Sequence, residues 1–305
     1  MKQSFPDIIF NMYKEILAKS ALNRIDKEYL PYNWDLNIYR GCSHKCQYCF
    51  AMYSHKYLES EAFFDEIYVK TNIAEVLEKK LKSRSWKKEI INIGGVTDSY
   101  QGIEAKYKLM PKVWELLIKH NNRAVMSTKS KLILRDIELI AELSRKVPVG
   151  IAATIITTNE EHRRRIEPGT GSIQDRFMML GEMKAKTRAI VGVHMMPIIP
   201  FLTDTKENIE SVFSQAKSVG ADYVITSSLN LYTETRKNFF AFIQKDFPEL
   251  YSNMIALFKS NEMFSQYKKG LYLRVKEARM KYNIPSYSTI FETEAEQDAK
   301  QMSLF

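Results

Sequence analysis

The sequence predicts an α/β protein: a partial (β/α)6 barrel of the TIM type with an N-terminal helix and a C-terminal helical extension. Six short apolar segments alternate with segments of helical periodicity between residues 34 and 226, which is the pattern of parallel strands joined by helices. A closed barrel has eight such units, so six predict an open one. Beyond about residue 230 the strand signal stops and aromatic and aliphatic residues recur at helical spacing.

The elements follow from local patterns taken in chain order. Residues 6–20 carry apolar side chains at helical spacing and predict the N-terminal helix. The predicted strands, which are short and rich in apolar or alternating residues, are 34–39, 89–93, 123–127, 148–155, 189–195 and 223–226. The predicted helices between them are 73–81, 106–120, 134–145, 160–166, 173–186 and 206–219. The chain therefore divides into an N-terminal helical segment (1–33), the barrel (34–230), a C-terminal helical region (231–290) and a flexible tail (291–305).

Charge and composition narrow the class of protein. The 45 basic residues exceed the 36 acidic ones, which gives a net charge of +9 and is compatible with a polyanionic partner such as DNA. Basic runs of this kind also form ordinary solvated helix faces, so charge alone does not decide the partner. Residues 1–20 mix charged and apolar side chains, unlike a secretory leader, and no apolar run is long enough to span a bilayer. We expect a cytoplasmic protein with no membrane contact.

The three cysteines of the chain lie within eight residues, at Cys42, Cys46 and Cys49. Thiolates at this spacing can wrap one inorganic centre, and three of them fill three corners of a cuboidal iron–sulfur cluster. The fourth iron then stays open to a ligand that is not protein, as in catalytic metal sites. Three alternatives remain at this point: a disulfide with one free thiol, a zinc site completed by His44 or His55, and three buried structural cysteines.

Polar and glycine residues follow the predicted strands at the edge where the cysteine loop lies. Gly94 and Gly95 end the second strand, and paired glycines let a ligand approach the backbone closely. Lys129 follows the third strand, where it could pair with a carboxylate, and Thr157 follows the fourth, with a hydroxyl suited to a ribose. Each residue alone also fits a turn or the surface. Their shared position at the strand ends predicts a common site.

The cysteine spacing, with Tyr48 just before the last cysteine, resembles the signature of the radical S-adenosylmethionine (SAM) enzymes. That resemblance implies a [4Fe-4S] cluster whose open iron binds the amino and carboxylate groups of SAM. One electron from the cluster then cleaves SAM to methionine and a 5′-deoxyadenosyl radical. It also implies an external electron donor, flavodoxin or ferredoxin, and places Tyr48, Gly94 and Gly95 at the SAM site.

A narrower resemblance covers roughly Trp34 to Pro200. The segments around the cysteines, the Ser-Thr-Lys that ends at Lys129, and Ile166-Glu167-Pro168-Gly169-Thr170 followed by Asp175-Arg176 are similar to the spore photoproduct lyase family. The resemblance implies that Lys129 and Thr97 contact SAM and that Glu167 and Arg176 brace the site. It also implies action on DNA, with a damaged base extruded into the pocket for repair or modification.

The chain departs from this family in one respect. The family reduces its product radical with a cysteine, whose place here falls near Val96, and no fourth cysteine exists in the sequence. Tyr100 is nearby and is our candidate for the hydrogen relay. The alternative within enzymes is radical SAM modification of RNA, protein or a small metabolite, which the motif does not exclude. From a different class, the chain could be a zinc-stabilised nucleic-acid-binding protein without catalysis.

The last five residues, Gln301 to Phe305, form a further candidate motif. Their sequence, QMSLF, resembles the peptide by which bacterial repair and replication proteins dock on the sliding clamp. An extended peptide with apolar anchors suits a shallow hydrophobic groove. The alternative is a chance apolar tail. We therefore expect the sliding clamp as a partner, alongside DNA and the electron donor.

Overall fold

The computed structural model describes residues 12–25, 30–58 and 62–286. Its strands are β1 (Met12–Ile16), β2 (Leu22–Arg24), β3 (Trp34–Leu36), β4 (Tyr39–Arg40), β5 (Glu66–Lys70), β6 (Ile91–Ile93), β7 (Ala124–Thr128), β8 (Val149–Thr154), β9 (Ile190–Ile198) and β10 (Tyr223–Ser228). Its α-helices are α1 (Ile73–Leu81), α2 (Glu104–Tyr107), α3 (Leu109–His120), α4 (Ile137–Lys146), α5 (Glu160–Ile166), α6 (Ile173–Lys186), α7 (Lys206–Ser218), α8 (Thr233–Asp246), α9 (Pro248–Lys259) and α10 (Asn261–Tyr282). Two 3-10 segments, Phe50–Leu58 and Lys131–Asp136, complete the described elements.

The larger sheet has the order β10-β9-β8-β7-β6-β3-β2. All pairs from β3 to β10 are parallel, and their spatial order is their order along the chain. Helical connections therefore carry the chain from each strand to its neighbour. β2 pairs antiparallel with β3 at one edge, and β10 lies at the other without pairing to close the ring in the described residues. The predicted partial barrel with six parallel strands is confirmed.

The N-terminal helix predicted for residues 6–20 is wrong over its described part. Met12–Ile16 forms β1, which pairs parallel with β5, and β4 pairs antiparallel with the other edge of β5. Lys14 fixes this register, since its ammonium lies 3.0 Å from a carboxylate oxygen of Glu66. Five residues with apolar ends fit the helical period and the strand period equally well. The strand forms because the edge of β5 offers unpaired backbone groups to it. Residues 6–11 lie outside the described part of the chain.

The two faces of the barrel strands differ in chemistry because side chains alternate along a strand. Outward residues such as Met126, Ile151 and Val193 are buried in the main apolar core, which they share with helices α1, α3, α4, α6 and α7. Inward residues of the middle strands are small or polar. The inner face thus carries the polar side chains, and the outer face supplies the main core.

The C-terminal extension covers one side of the barrel mouth. Helices were predicted over residues 235–282, and α8, α9 and α10 occupy this stretch. Apolar side chains of α8 and α9 form a second core with the loop that carries Cys46 and Tyr48. No helix in the described ranges has the length and apolarity needed to cross a bilayer. The proposed clamp peptide, Gln301–Phe305, falls outside the described residues.

Candidate active site

The cysteine loop begins where β4 ends, at the carboxyl edge of the barrel. Gly41 starts it with a φ of +79°, and a Cβ here would lie 2.3 Å from the carbonyl oxygen of Glu66. The Gly41 carbonyl accepts hydrogen bonds from Thr97 Oγ1 at 2.7 Å and from Gln101 Nε2 at 3.1 Å. Gln101 Oε1 also accepts the amide of Ser43 at 2.9 Å. The segment after β6 therefore holds the loop at its first turn.

The three thiols are free and lie close enough to affect one another's ionisation. Burial raises the pKa of the Cys46 thiol well above its usual value, and neighbouring thiolate charge raises it further. Burial and the charge of Cys42 raise the pKa of Cys49 to about 12. Among the described residues no three His, Cys, Asp or Glu side chains converge on a single metal ion. Three thiols in one short loop match the three protein-held corners of a four-iron cluster whose last iron stays open.

One side of the loop, which we call the Asp98 flank, consists of Cys42, His44 and Asp98. His44 Nδ1 lies 3.3 Å from Asp98 Oδ2, and both side chains are buried. Asp98 also accepts the amides of Tyr100 at 2.9 Å and Lys129 at 2.8 Å. Burial opposes ionisation of Asp98, but the charge of His44 outweighs it and holds the pKa of the carboxyl well below its usual range. This flank ties the loop to the ends of β6 and β7.

The Asp98 flank also sets the charge of the cysteine it contains. Burial disfavours the charged form of His44, but Asp98 and Cys42 outweigh it and raise the imidazole pKa to about 10. Burial likewise disfavours the Cys42 thiolate, yet the charge of His44 outweighs it and lowers the thiol pKa. Of the three cysteines, Cys42 is therefore the most readily ionised, and the thiolate is the form that binds iron.

The other side, which we call the Glu167 flank, consists of Cys46, Tyr48, Glu167 and Arg176. The Tyr48 hydroxyl donates to Glu167 Oε1, and Arg176 Nη1 donates to Glu167 Oε2 at 2.6 Å and to the Thr154 carbonyl at 2.9 Å. Glu167 and Arg176 are at most 1% exposed. Burial opposes the charge on Glu167, but Arg176 and then Lys129 outweigh it and lower the pKa of the carboxyl.

The segment after α5 also clamps the cysteine loop through its backbone. The Gln47 amide donates to the Ile166 carbonyl at 2.9 Å, and the Gly169 amide donates to the His44 carbonyl at 3.0 Å. A Cβ on Gly169 would lie 2.0 Å from the Ser43 carbonyl oxygen. Only glycine permits this approach, which explains the glycine in the Glu-Pro-Gly-Thr segment.

Lys129 lies between the two flanks. Its backbone amide belongs to the Asp98 flank, and its Nζ lies 5.9 Å from the centre of the Tyr48 ring. Burial opposes its charge, but Cys46, Glu167 and Asp98 outweigh it and raise its pKa. Within the described part of the chain its ammonium has no ion-pair partner. It is a cation fixed beside the thiols and free to receive an anion.

The inner wall of the barrel below Lys129 is polar. Ser127 Oγ and Thr154 Oγ1 lie 3.1 Å apart on adjacent strands, and His194 Nε2 lies 3.3 Å from the Tyr223 hydroxyl. Burial, with the positive charge of Lys129, lowers the pKa of His194 to about 4. The imidazole is therefore neutral at physiological pH. The wall can offer hydrogen bonds to a ligand without adding a charge.

The structure brings together some of the predicted site residues and separates others. Six lie in the two flanks or between them: Cys42, Cys46, Tyr48, Lys129, Glu167 and Arg176. Cys49 packs against the apolar clusters that contain Cys42 and Cys46. Gly94 and Gly95 line the same edge, where the Gly95 amide donates to Asp35 Oδ1 at 3.1 Å.

The hydroxyl groups of Tyr100, Thr97 and Thr157 make hydrogen bonds within the protein and are not directed to an open pocket. The Tyr100 hydroxyl donates to Asp136 Oδ2 at 2.8 Å, accepts Trp114 Nε1 at 2.7 Å and is fully buried in the main core. Thr97 supports Gly41, and Thr157 Oγ1 donates to Asn208 Oδ1 at 3.0 Å.

Sequence reasoning missed several residues of this site. Asp98 and Gln101 lie in the segment after the second strand that was singled out for its glycines, and a carboxylate there was a usable signal. His44 was considered only as a zinc ligand. His194 gave no signal, because a lone histidine in an apolar run is usually part of the core.

Comparison with known proteins finds a family model and relatives that match most of this chain. The model of the radical SAM superfamily matches residues 36–213. An uncharacterised protein of Mycobacterium tuberculosis is 35% identical over 279 residues, which is 89% of this chain and 81% of that protein.

Solved structures agree on the fold. A spore photoproduct lyase variant has a TM-score of 0.64 at 14% identity and covers 92% of this chain and 83% of its own. Another variant, with bound SAM and dinucleoside spore photoproduct, has a TM-score of 0.60 at 15% identity. The match covers 78% of this chain and 68% of that chain.

Proposed function

Because this chain belongs to the radical SAM superfamily, whose enzymes use a [4Fe-4S] cluster and SAM, we propose that it is a radical SAM enzyme acting on DNA. The proposed reaction is repair or modification of the kind performed by spore photoproduct lyase. When bound, the cluster and SAM supply a 5′-deoxyadenosyl radical able to remove hydrogen from an unreactive C–H bond. The observation that carries the proposal is a loop with three thiols beside a lysine that has no ion-pair partner in the described chain.

In this proposal different residues at the mouth of the barrel hold the cluster and SAM. Cys42, Cys46 and Cys49 would ligate three irons, and Lys129 would pair with the SAM carboxylate. The remaining predicted SAM residues, at the rim, are Tyr48, Gly94, Gly95, Thr97 and Thr157. For Thr97 and Thr157 the hydrogen bonds of their hydroxyls support an indirect role, in which they hold the loops that contact SAM.

The flanks and the apolar clusters keep the thiols in position and away from water. Glu167 and Arg176 fix the Tyr48 ring, and Tyr48 and Cys46 are buried with aromatic residues of α8. On the other side Cys42 contacts a small apolar cluster around Phe63. Restricting solvent strengthens the electrostatic pull of Lys129 on a bound carboxylate.

Action on DNA is the finer part of the proposal. It is supported by the net charge of +9 and by the shared fold with spore photoproduct lyase, which has been solved with dinucleoside spore photoproduct. The chain has no cysteine beyond the three in the loop, and the buried hydrogen bonds of Tyr100 do not support it as the hydrogen relay. The proposed reaction therefore does not follow the cysteine-dependent reduction that the spore photoproduct lyase family uses. Flavodoxin or ferredoxin is the proposed electron source.

Anaerobic reconstitution followed by product analysis tests this function. We expect about four irons per chain, and cleavage of SAM to 5′-deoxyadenosine after dithionite reduction. DNA deuterated on its bases or sugars, with and without ultraviolet damage, should transfer deuterium into 5′-deoxyadenosine. A colourless protein with one zinc would overturn the enzymatic assignment. Transfer from labelled RNA, protein or metabolite pools, but not from DNA, would retain radical chemistry and overturn the DNA assignment.

A further inference from the structure

Two exposed aromatic rings stand directly beside the cysteine loop. Phe50 follows Cys49 in the chain and is 57% exposed, and Tyr53 is 44% exposed. Their ring centres lie 6.5 Å apart with an angle of 30° between the planes, so the rings are stacked on each other. Two exposed aromatic rings in contact form a patch, and such a patch is a candidate interaction surface.

The segment that carries these rings is anchored at both ends. Thr235 Oγ1 of α8 donates to the Cys49 carbonyl at 3.0 Å, and Ala51, one residue after Phe50, is buried. Four residues later, the His55 ring packs edge-on against Phe63 and Tyr68. The aromatic pair is therefore held on a fixed base. Little conformational freedom would be lost when something binds to it.

A third exposed ring comes from α8. Tyr232 is 66% exposed and precedes α8 as its N-cap residue, one turn before Thr235. The bond from Thr235 to Cys49 brings the N-terminal end of α8, where Tyr232 lies, next to the segment that carries Phe50 and Tyr53. Nearby, Lys237 is exposed and has no ion-pair partner in the described chain.

We propose that Phe50, Tyr53 and Tyr232 form a stacking platform for the unpaired bases of a DNA strand, next to the cluster site. The inference rests on the proposed action on DNA and adds the surface that would hold the strand. Open aromatic faces stack on any base. Lys237 offsets Glu234 on the same turn, and the net charge of +9 draws a polyanion to the protein. If the surface bound a protein partner instead, removing the rings would leave the affinity for an oligonucleotide unchanged, and that difference can be tested.

The test measures binding of a fluorescent oligothymidylate of about 12 nucleotides to the reconstituted protein by anisotropy. The double variant F50L/Y53L keeps apolar bulk without rings, and we expect it to bind roughly tenfold more weakly. The variant F50W restores a larger ring and should bind as tightly as the unmodified protein or more tightly. L273A, which truncates a side chain that is 57% exposed on α10, is the matched control and should have no effect.

Three outcomes would overturn the platform or its ligand. Full affinity in F50L/Y53L would show that bulk is sufficient and that no base stacks there. Phe50 directly follows Cys49, so the iron content of each variant is measured. The variant Y232L provides a second test, at a residue that lies at the start of α8 and outside the cysteine loop. Unchanged binding by Y232L would remove Tyr232 from the platform. Tighter binding of oligouridylate than of oligothymidylate would assign the surface to RNA.

The test is independent of radical chemistry. A protein that fails to cleave SAM but loses DNA affinity in F50L/Y53L would retain the platform and lose the proposed function. A protein that cleaves SAM and takes deuterium from DNA, but binds the oligonucleotide with equal affinity in all variants, would retain the proposed function and lose the platform.

Discussion

The two flanks of the cysteine loop both contain a buried carboxylate, and they differ in the cation that neutralises it. Each places a buried carboxylate against the loop, but Asp98 is neutralised by a histidine and Glu167 by an arginine. Asp98 also accepts backbone amides from two strand ends, whereas Glu167 accepts side chains from Tyr48 and Arg176. Arginine stays charged at every accessible pH and histidine does not. The Glu167 flank is thus a permanent brace, and the Asp98 flank depends on protonation.

Removing the arginine should have the largest effect. In Arg176→Met, Glu167 is left buried and uncompensated, and we expect a loss of about 3–5 kcal/mol in the free energy of unfolding, measured with urea. The matched control is Glu182→Gln, whose exposed pair with Lys186 lies on the same helix. The control should remain close to the unmodified protein. Equal losses in the two variants would contradict the permanent brace.

Lys129→Met separates ligand binding from stability. The ammonium has no ion-pair partner in the described chain but it helps to lower the pKa of the buried Glu167, so its loss should cost less stability than Arg176→Met does. Loss of a charged hydrogen bond to the SAM carboxylate costs about 1.5–3 kcal/mol, roughly a 10- to 150-fold weaker Kd. Calorimetric titration with SAM measures this. A Lys129→Arg variant that recovers part of the affinity would support a charge contact, and equal affinity in all three proteins would remove Lys129 from the site.

Asp98→Asn should cost less than Arg176→Met. The amide keeps one oxygen for Tyr100, but its NH2 group meets the Lys129 amide, and the pairing with His44 is lost. We expect a loss of about 1–3 kcal/mol in the free energy of unfolding. A loss as large as that of Arg176→Met would show that the two flanks are equivalent.

The smallest expected effect is a difference between the two flanks in how the free energy of unfolding depends on pH. His44 has a raised pKa of about 10 in the folded state, against about 6.5 when unfolded. Its stabilisation is therefore complete below about pH 6.5 and is lost as the pH rises towards 10. We expect the stability difference between the metal-free protein and its His44→Gln variant to shrink over this range. The difference caused by Arg176→Met should stay constant there, and a parallel decline would refute the distinction.

Much of the fold was predictable because local pattern and tertiary structure agree. Helices α1, α5 and α6 begin and end where periodicity placed them, and the six strands fall within their predicted segments or extend them by a few residues. Met12–Ile16 was mispredicted, because an edge strand owes its state to a partner more than 50 residues away. Such pairings leave no periodic signal in a short segment.

The candidate site was predictable in its motifs but not in its contacts. The cysteines, Lys129, Glu167 and Arg176 come from recognisable segments, and the structure places them together. Tyr100 was chosen because it is near the glycine segment in sequence, yet its side chain points into the core, where Trp114 and Asp136 satisfy its hydroxyl. Sequence neighbours on a loop can face opposite ways, and only the fold decides which side chain reaches the mouth.

The apolar core shared by the cysteine loop and α8 has a consequence for how the chain can be divided. Secondary structure suggests a boundary near residue 230, but Cys46 and Tyr48 are buried against Phe239 and Phe242, which lie beyond it. A protein truncated at that point would expose the interior side of its cysteine loop to solvent and oxygen. Barrel and extension should therefore unfold as one cooperative unit, and a transplanted barrel would need to bring its C-terminal helices with it.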